Sequence, residues 1–139
     1  MKPSQVLELA RYRLGQARET LHEAEVLIQE QSWRGAVNRA YYAMFYSVLA
    51  LAVTRQISTS RHSGVIAFFD REFVKTGVFP KDFSRKLHFA FDRRQVQDYG
   101  EFTTLDENSA GDTLANARDF VYAVETYLQS SVLPQLETK

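Results

Sequence analysis

Apolar positions recur at steps of three and four along nearly the whole chain, which is the period of a helix and not of a strand. Val6, Leu9, Ala10, Leu14, Ala17, Leu21, Ala24, Leu27 and Ile28 mark one face of a first helix. Glu8, Arg11, Gln16, Glu19 and Glu23 fill the opposite face, as solvent requires. Ser4, after Pro3, is the expected cap, and the helix runs to about Gln29, ending before Ser32. Gly15 inside it costs about 1 kcal/mol relative to Ala, which packing must offset. A second helix, Trp33 to Thr54, is apolar nearly all round: Ala36, Val37, Ala40, Tyr41, Ala43, Met44, Phe45, Val48, Leu49, Leu51 and Ala52. A helix of that kind sits centrally.

Ile57 to Ser60 reads as a loop. A third helix, Arg61 to Lys75, buries Val65, Ile66, Phe68, Phe69 and Phe73 and stops near Gly77. A fourth, Lys81 to Tyr99, carries the stripe Phe83, Leu87, Ala90 and Phe91 and ends at Gly100. Thr104 to Glu107 matches a capping box and opens a fifth helix, which continues through Leu114, Ala117, Val121, Val124 and Leu128 to about Ser130, with Pro134 beyond it. No strand pattern, repeat or linker interrupts this series. The expectation is an all-α antiparallel bundle formed by residues 1–139 as one domain.

Composition narrows the function classes. The chain has 139 residues and no cysteine, which excludes a disulfide scaffold, a thiol nucleophile and a Cys-ligated metal. Its 17 basic and 17 acidic residues balance, so binding to nucleic acid would need a local basic patch. The first twenty residues lack an apolar run, and the stretch from Ala40 to Val53 falls short of the roughly 20 residues of a membrane span. The expectation is a soluble, cytoplasmic protein without a membrane segment. No phosphate-binding glycine loop or hydrolase elbow is present. No two histidines share a metal-ligand spacing with a carboxylate, and neither a metal nor another cofactor is expected.

The informative residues are polar ones on apolar stripes. On the fourth helix, Ala90 leads at four-residue steps to Arg94 and Asp98, with Arg93 and Tyr99 beside them. On the second, Asn38, Arg39 and Tyr42 cluster near the N-terminal end. Arg94 and Asp98 fit an ordinary ion pair one turn apart, and Asn38 fits a tie to a neighbouring carbonyl. Yet an arginine beside a Phe and Leu stripe is costly to bury, which points to a cleft or an interface. His22 reads as a surface residue and His88 as half-buried packing. His62 opens the third helix, where free N–H groups and the helix dipole favour an anion; Ser60 or Ser63 capping that helix is the plainer alternative.

Four blocks in order carry a resemblance: Asn38 to Tyr46, His62 to Ile66, Arg71 to Gly77, and Arg94 to Tyr99. Together they are similar to the HEPN domain proteins of the UPF0332 group. The likeness spans nearly the whole chain. It implies an antiparallel bundle of four main helices plus one short helix. It also implies a homodimer, and a minimal nucleotidyltransferase as partner in a toxin–antitoxin or defence module.

Many HEPN domains are metal-independent endoribonucleases whose motif is an Arg, four to six residues and a His, often followed by a Tyr. Here Arg93 matches the Arg, but Asp98 stands where the His belongs. A carboxylate with a pKa of about 4 cannot donate a proton at neutral pH and repels phosphate. The favoured expectation is a non-catalytic or weakly catalytic module that binds nucleotide, RNA or a nucleotidyltransferase. An endoribonuclease toxin with a degenerate motif, using a histidine from elsewhere such as His62, and a helical interaction scaffold are the alternatives. The expected site joins Asn38, Arg39 and Tyr42 to Arg93, Arg94, Asp98 and Tyr99, with His62 at its mouth.

Overall fold

The structure is a computed structural model that describes residues 1–59, 61–99 and 105–139, the side chains at 96–99 excepted. Helix α1 spans Pro3–Gln29, α2 Trp33–Thr54, α3 His62–Phe69, α4 Lys81–Tyr99, α5 Glu107–Tyr127 and α6 Leu133–Glu137. No strand occurs among the described residues. The chain is an all-α antiparallel bundle of α1, α2, α4 and α5, with the short α3 packed alongside.

α1 is capped two residues earlier than expected. Lys2, not Ser4, precedes the first helical residue, and Pro3 occupies the position where a missing N–H costs nothing. Gln5 Oε1 accepts the Lys2 N–H at 2.9 Å. The α1–α2 reversal is short because Gln31 adopts φ 60° and Ser32 N–H donates to Leu27 O at 2.8 Å. This turn lays α2 antiparallel along α1. α2 is then enclosed by α1, α3, α4 and α5, and twelve of its residues, Ala36 and Tyr41 among them, are buried. The apolar circumference read from the sequence is therefore the centre of the bundle. Tyr41, Met44, Phe45, Val48 and Leu87 share one core, and Phe91 packs at its edge.

α3 is shorter than the helix expected from Arg61 to Lys75. After Phe69 the backbone widens into a π-helical turn, Asp70–Val74, and Gly77 closes the segment at φ +83°. The widened turn keeps Phe73 in the core with Phe68 and Phe69, where Phe79 and Phe120 extend the aromatic packing. Such π turns arise where an extra residue is accommodated without breaking the helix.

The start of α5 also differs. Asp106 caps it, its carboxylate accepting the Ser109 N–H at 2.8 Å. That backbone hydrogen bond, chiefly, holds the Asp106 carboxyl below its ordinary range. Thr104, the expected cap, and Gly100, the expected end of α4, lie outside the described residues. The C-terminal end does not stop at Ser130. A π-helical turn, Leu128–Val132, leads into α6, where Pro134 lies in the first turn and needs no N–H partner. Leu128 and Leu133 are buried, which explains why the helical path continues past the proline.

Candidate functional site

Polar side chains converge where the N-terminal half of α2 meets the start of α3 and the C-terminal half of α4. Tyr41 is wholly buried, and its hydroxyl lies 2.6 Å from His62 Nδ1. A buried hydroxyl proton must find an acceptor, and the one offered among the described residues is Nδ1. Tyr41 therefore donates to Nδ1, and the neutral imidazole carries its proton on Nε2.

The protonation states agree with that assignment. Burial pushes the Tyr41 phenol well above its ordinary value, although the Arg94 charge opposes the shift. Burial first, and the Arg94 charge second, push His62 below its ordinary value. Both groups are neutral at pH 7, and His62 offers an Nε2–H donor.

His62 is fixed in place on several sides. Its ring stacks on Phe45 at 4.5 Å between centroids and meets Tyr42 edge-on at 5.7 Å. It is the first residue of α3, after Arg61 in extended backbone, and the Arg61 side chain makes no capping hydrogen bond there. The expected capping by Ser63 is thus not observed; Ser60 lies outside the described residues. The preceding turn packs tightly against the helix: a Cβ at Gly64 would fall 2.7 Å from Thr59 Oγ1. Only a bare backbone at position 64 lets Thr59 come so close.

Two guanidinium groups approach this aromatic cluster. Arg94, half-buried, lies 5.3 Å from the Tyr42 ring centre and 5.8 Å from that of Tyr41. Arg39 lies 5.0 Å from the Tyr42 ring centre. Cation–π attraction of this kind is worth about 0.5–2 kcal/mol, depending on desolvation. Asn38 Oδ1 accepts from Arg39 Nε at 3.1 Å and Nη2 at 2.9 Å, so it steers that arginine. Glu23 Oε1 stands 3.8 Å from Arg39 Nη1, a loose ion pair.

The structure therefore brings Asn38, Arg39, Tyr42, His62 and Arg94 into one neighbourhood. It does not bring Arg93, whose Nη1 donates to Ser109 O at 3.1 Å and to Thr113 Oγ1 at 2.5 Å. Successive helical residues point about 100° apart, so Arg93 faces α5 when Arg94 faces α2. Arg93 ties α4 to α5. The side chains of Asp98 and Tyr99 lie outside the described residues.

Of the other histidines, His22 is exposed. His88 is exposed too, not half-buried packing, and its Nε2 lies 2.6 Å from Asp70 Oδ2. Sequence reasoning assigned Tyr41 to the core alone. Its hydroxyl on the most buried stripe of α2 was the available signal, since such a group needs a partner. Among the described residues no trio of His, Asp or Glu is placed to hold a metal ion, and no helix is long and apolar enough to cross a membrane.

Residues 10–127 match the model of the HEPN domain. The chain belongs to the HEPN domain family. It is similar to a UPF0332 protein of Thermotoga maritima, with 38% identity over 88% of this chain and 92% of that protein. It is also similar to a protein of Methanocaldococcus jannaschii that carries the name "Putative toxin", with 32% identity over 82% of this chain and 78% of that protein. A second protein so named, from the same organism, shares 32% identity over 81% of this chain.

Proposed function

We propose that this HEPN chain is a binding module for RNA or nucleotide, and that its site is the cluster of Tyr42, His62, Arg39 and Arg94. The observation that carries the reading is the Tyr41–His62 hydrogen bond beside Arg94. It sets a neutral Nε2–H donor next to a guanidinium, and both suit a phosphate oxygen. The Tyr42 ring supplies a face on which a base can stack. Two relatives that carry the name "Putative toxin" support a toxin–antitoxin or defence setting for such a role, with a minimal nucleotidyltransferase as the partner the family resemblance suggests. Exposed Phe89 and Tyr122, on α4 and α5, support a homodimer.

The test is fluorescence anisotropy of a labelled single-stranded RNA at low salt. Arg94→Ala removes a charge-assisted hydrogen bond and should weaken binding by about 1–3 kcal/mol. Unchanged affinity in an Arg39→Ala, Arg94→Ala double variant would overturn the reading. Retained RNA binding together with lost capture of a nucleotidyltransferase in that double variant would assign the cluster to a protein partner instead.

A second reading, an endoribonuclease, has one observation in its favour: a histidine does stand beside an arginine here. Its weakness is chemical. The Tyr41 hydroxyl occupies Nδ1 and Nε2 carries a proton, so neutral His62 has no free lone pair to act as a base. The family motif offers Asp98 in place of its histidine. RNA cleavage that is abolished by His62→Gln in the otherwise unaltered chain would establish this second reading. Cleavage appearing only in Asp98→His would show that the binding site is intact and lacks the acid–base group.

A further inference from the structure

We infer that the cleft between the N-terminal half of α1 and the C-terminal end of α2 binds a small carboxylate with an apolar tail, and that the bound molecule acts on His62 through the turn before α3. The cleft stands whether or not the cluster around Arg94 takes RNA. It encloses about 490 Å³, and Leu9, Arg13, Leu49, Val53, Ile57 and Thr59 are among the residues that line it. A cleft of this size, mostly apolar with a few polar groups, suits a small molecule.

The pairing of α1 with α2 puts these residues together. Leu9 and Arg13 lie one turn apart on α1, and Leu49 and Val53 one turn apart on α2. The helices pack antiparallel, so the start of α1 lies beside the end of α2. α2 closes where Gln56 adopts φ 53° and the Ile57 N–H donates to Ala52 O at 3.0 Å. That closure turns Ile57 back against the helix. From Leu49 to Val53 the helix rises about 6 Å, and Ile57 extends the apolar wall beyond it.

Arg13 sets the charge of the ligand. Its neighbours on α1, Arg11 and Arg18, form ion pairs with Glu137 and Glu125. Arg13 is half-buried and has no carboxylate in ion-pairing reach among the described residues. Its Nη1 donates to Gln16 Oε1 at 2.8 Å, and its guanidinium stands 5.8 Å from the Tyr12 ring centre. A charge drawn partly out of water gains from a counterion, and the planar fork of a guanidinium matches a carboxylate. One guanidinium balances one negative charge, which fits a carboxylate better than a phosphate monoester carrying about −1.5 to −2. The apolar wall beside Arg13 favours an acid with a tail over a bare acid.

Thr59 ties the cleft to α3. It lines the cleft, and its Oγ1 would lie 2.7 Å from a Cβ at Gly64. Gly64 stands two residues after His62 in α3. A ligand that draws Thr59 inward moves this tight contact, and His62 with it.

The test is an NMR titration that follows the Arg13 Nε and His62 ring nitrogens. Octanoate is added below its micelle concentration, and acetate, octylammonium and octyl phosphate are added separately. Octanoate is expected to shift both residues with one midpoint. Acetate lacks the tail and octylammonium has the wrong charge, so neither should bind. Hexanoate should bind about 4- to 15-fold more weakly than octanoate, for two methylenes half to wholly buried. Arg13→Gln should weaken octanoate about 10- to 100-fold, the range for a hydrogen bond to a charged group. Absence of octanoate binding would overturn the site, as would binding that survives Arg13→Gln or is matched by octylammonium. Tighter binding of octyl phosphate would overturn the carboxylate as the ligand class. Octanoate binding that leaves the His62 nitrogens unmoved would overturn the link to α3.

Discussion

Replacing Tyr41 with Phe removes one oxygen from the centre of the site and leaves the ring in place. Tyr41 is wholly buried and packs on Phe45 and Phe91 at centroid distances of 5.9 and 5.7 Å. Those contacts survive in Phe, so no cavity forms. What is lost is the 2.6 Å hydrogen bond to His62 Nδ1. A hydrogen bond between neutral groups contributes about 0.5–1.5 kcal/mol net. His62 is only half-buried, so water can reach the vacated Nδ1 and no orphaned-group penalty is added. The expected destabilisation is therefore about 1 kcal/mol. Unfolding entropy of about 2.1 cal/mol/K per residue makes that a fall in Tm of about 3 °C for a chain of this length. Tyr41→Ala removes the ring as well and should cost about 3–5 kcal/mol, so the pair of variants separates hydroxyl from packing. Urea denaturation gives the energies, and nitrogen NMR of the imidazole gives the tautomer, Nε2–H in the parent and a mixture in Tyr41→Phe. A Tyr41→Phe variant as stable as the parent, with an unaltered tautomer, would show that the hydroxyl does not hold His62 and would remove the basis for the neutral donor.

The remaining predictions concern the same neighbourhood. His62 is held below its ordinary pKa of about 6.5, so the unfolded chain binds the extra proton first; its contribution is complete above that pH and is lost as pH falls through the depressed value. The urea midpoint should drop more between pH 7.5 and 5.5 in the parent than in His62→Gln, and equal drops would contradict the shift. Gly64→Ala places a methyl group 2.7 Å from Thr59 Oγ1, so it should displace the turn before α3 and weaken RNA binding, whereas Gly64→Ala, Thr59→Ala should recover it. Arg93→Ala should lower stability by about 1–3 kcal/mol through its bonds to Ser109 and Thr113, with RNA affinity unchanged after allowing for the unfolded fraction. A folded Arg93→Ala protein that no longer binds RNA would return Arg93 to the site.

The helices and their buried faces were determined by the sequence alone, because a 3.6-residue period and a few breakers report directly on which side of a helix meets water. The central place of α2 followed from its apolar circumference, and the blocks around Asn38, His62 and Arg94 already indicated the family. The π turn at Asp70–Val74 was not legible, since it arises from keeping Phe73 in the aromatic cluster, a demand made by residues far along the chain. Nor was the path through Pro134, which depends on burial of Leu128 and Leu133. At the site, spacing placed Arg93 and Arg94 together as candidates, but only packing decided between them: rotation about α4 gives Arg94 to Tyr41 and Tyr42, and Arg93 to α5. Tyr41 shows the same division. Its position on the stripe declared it buried, while the partner of its hydroxyl, 21 residues away on α3, exists only once the helices have packed.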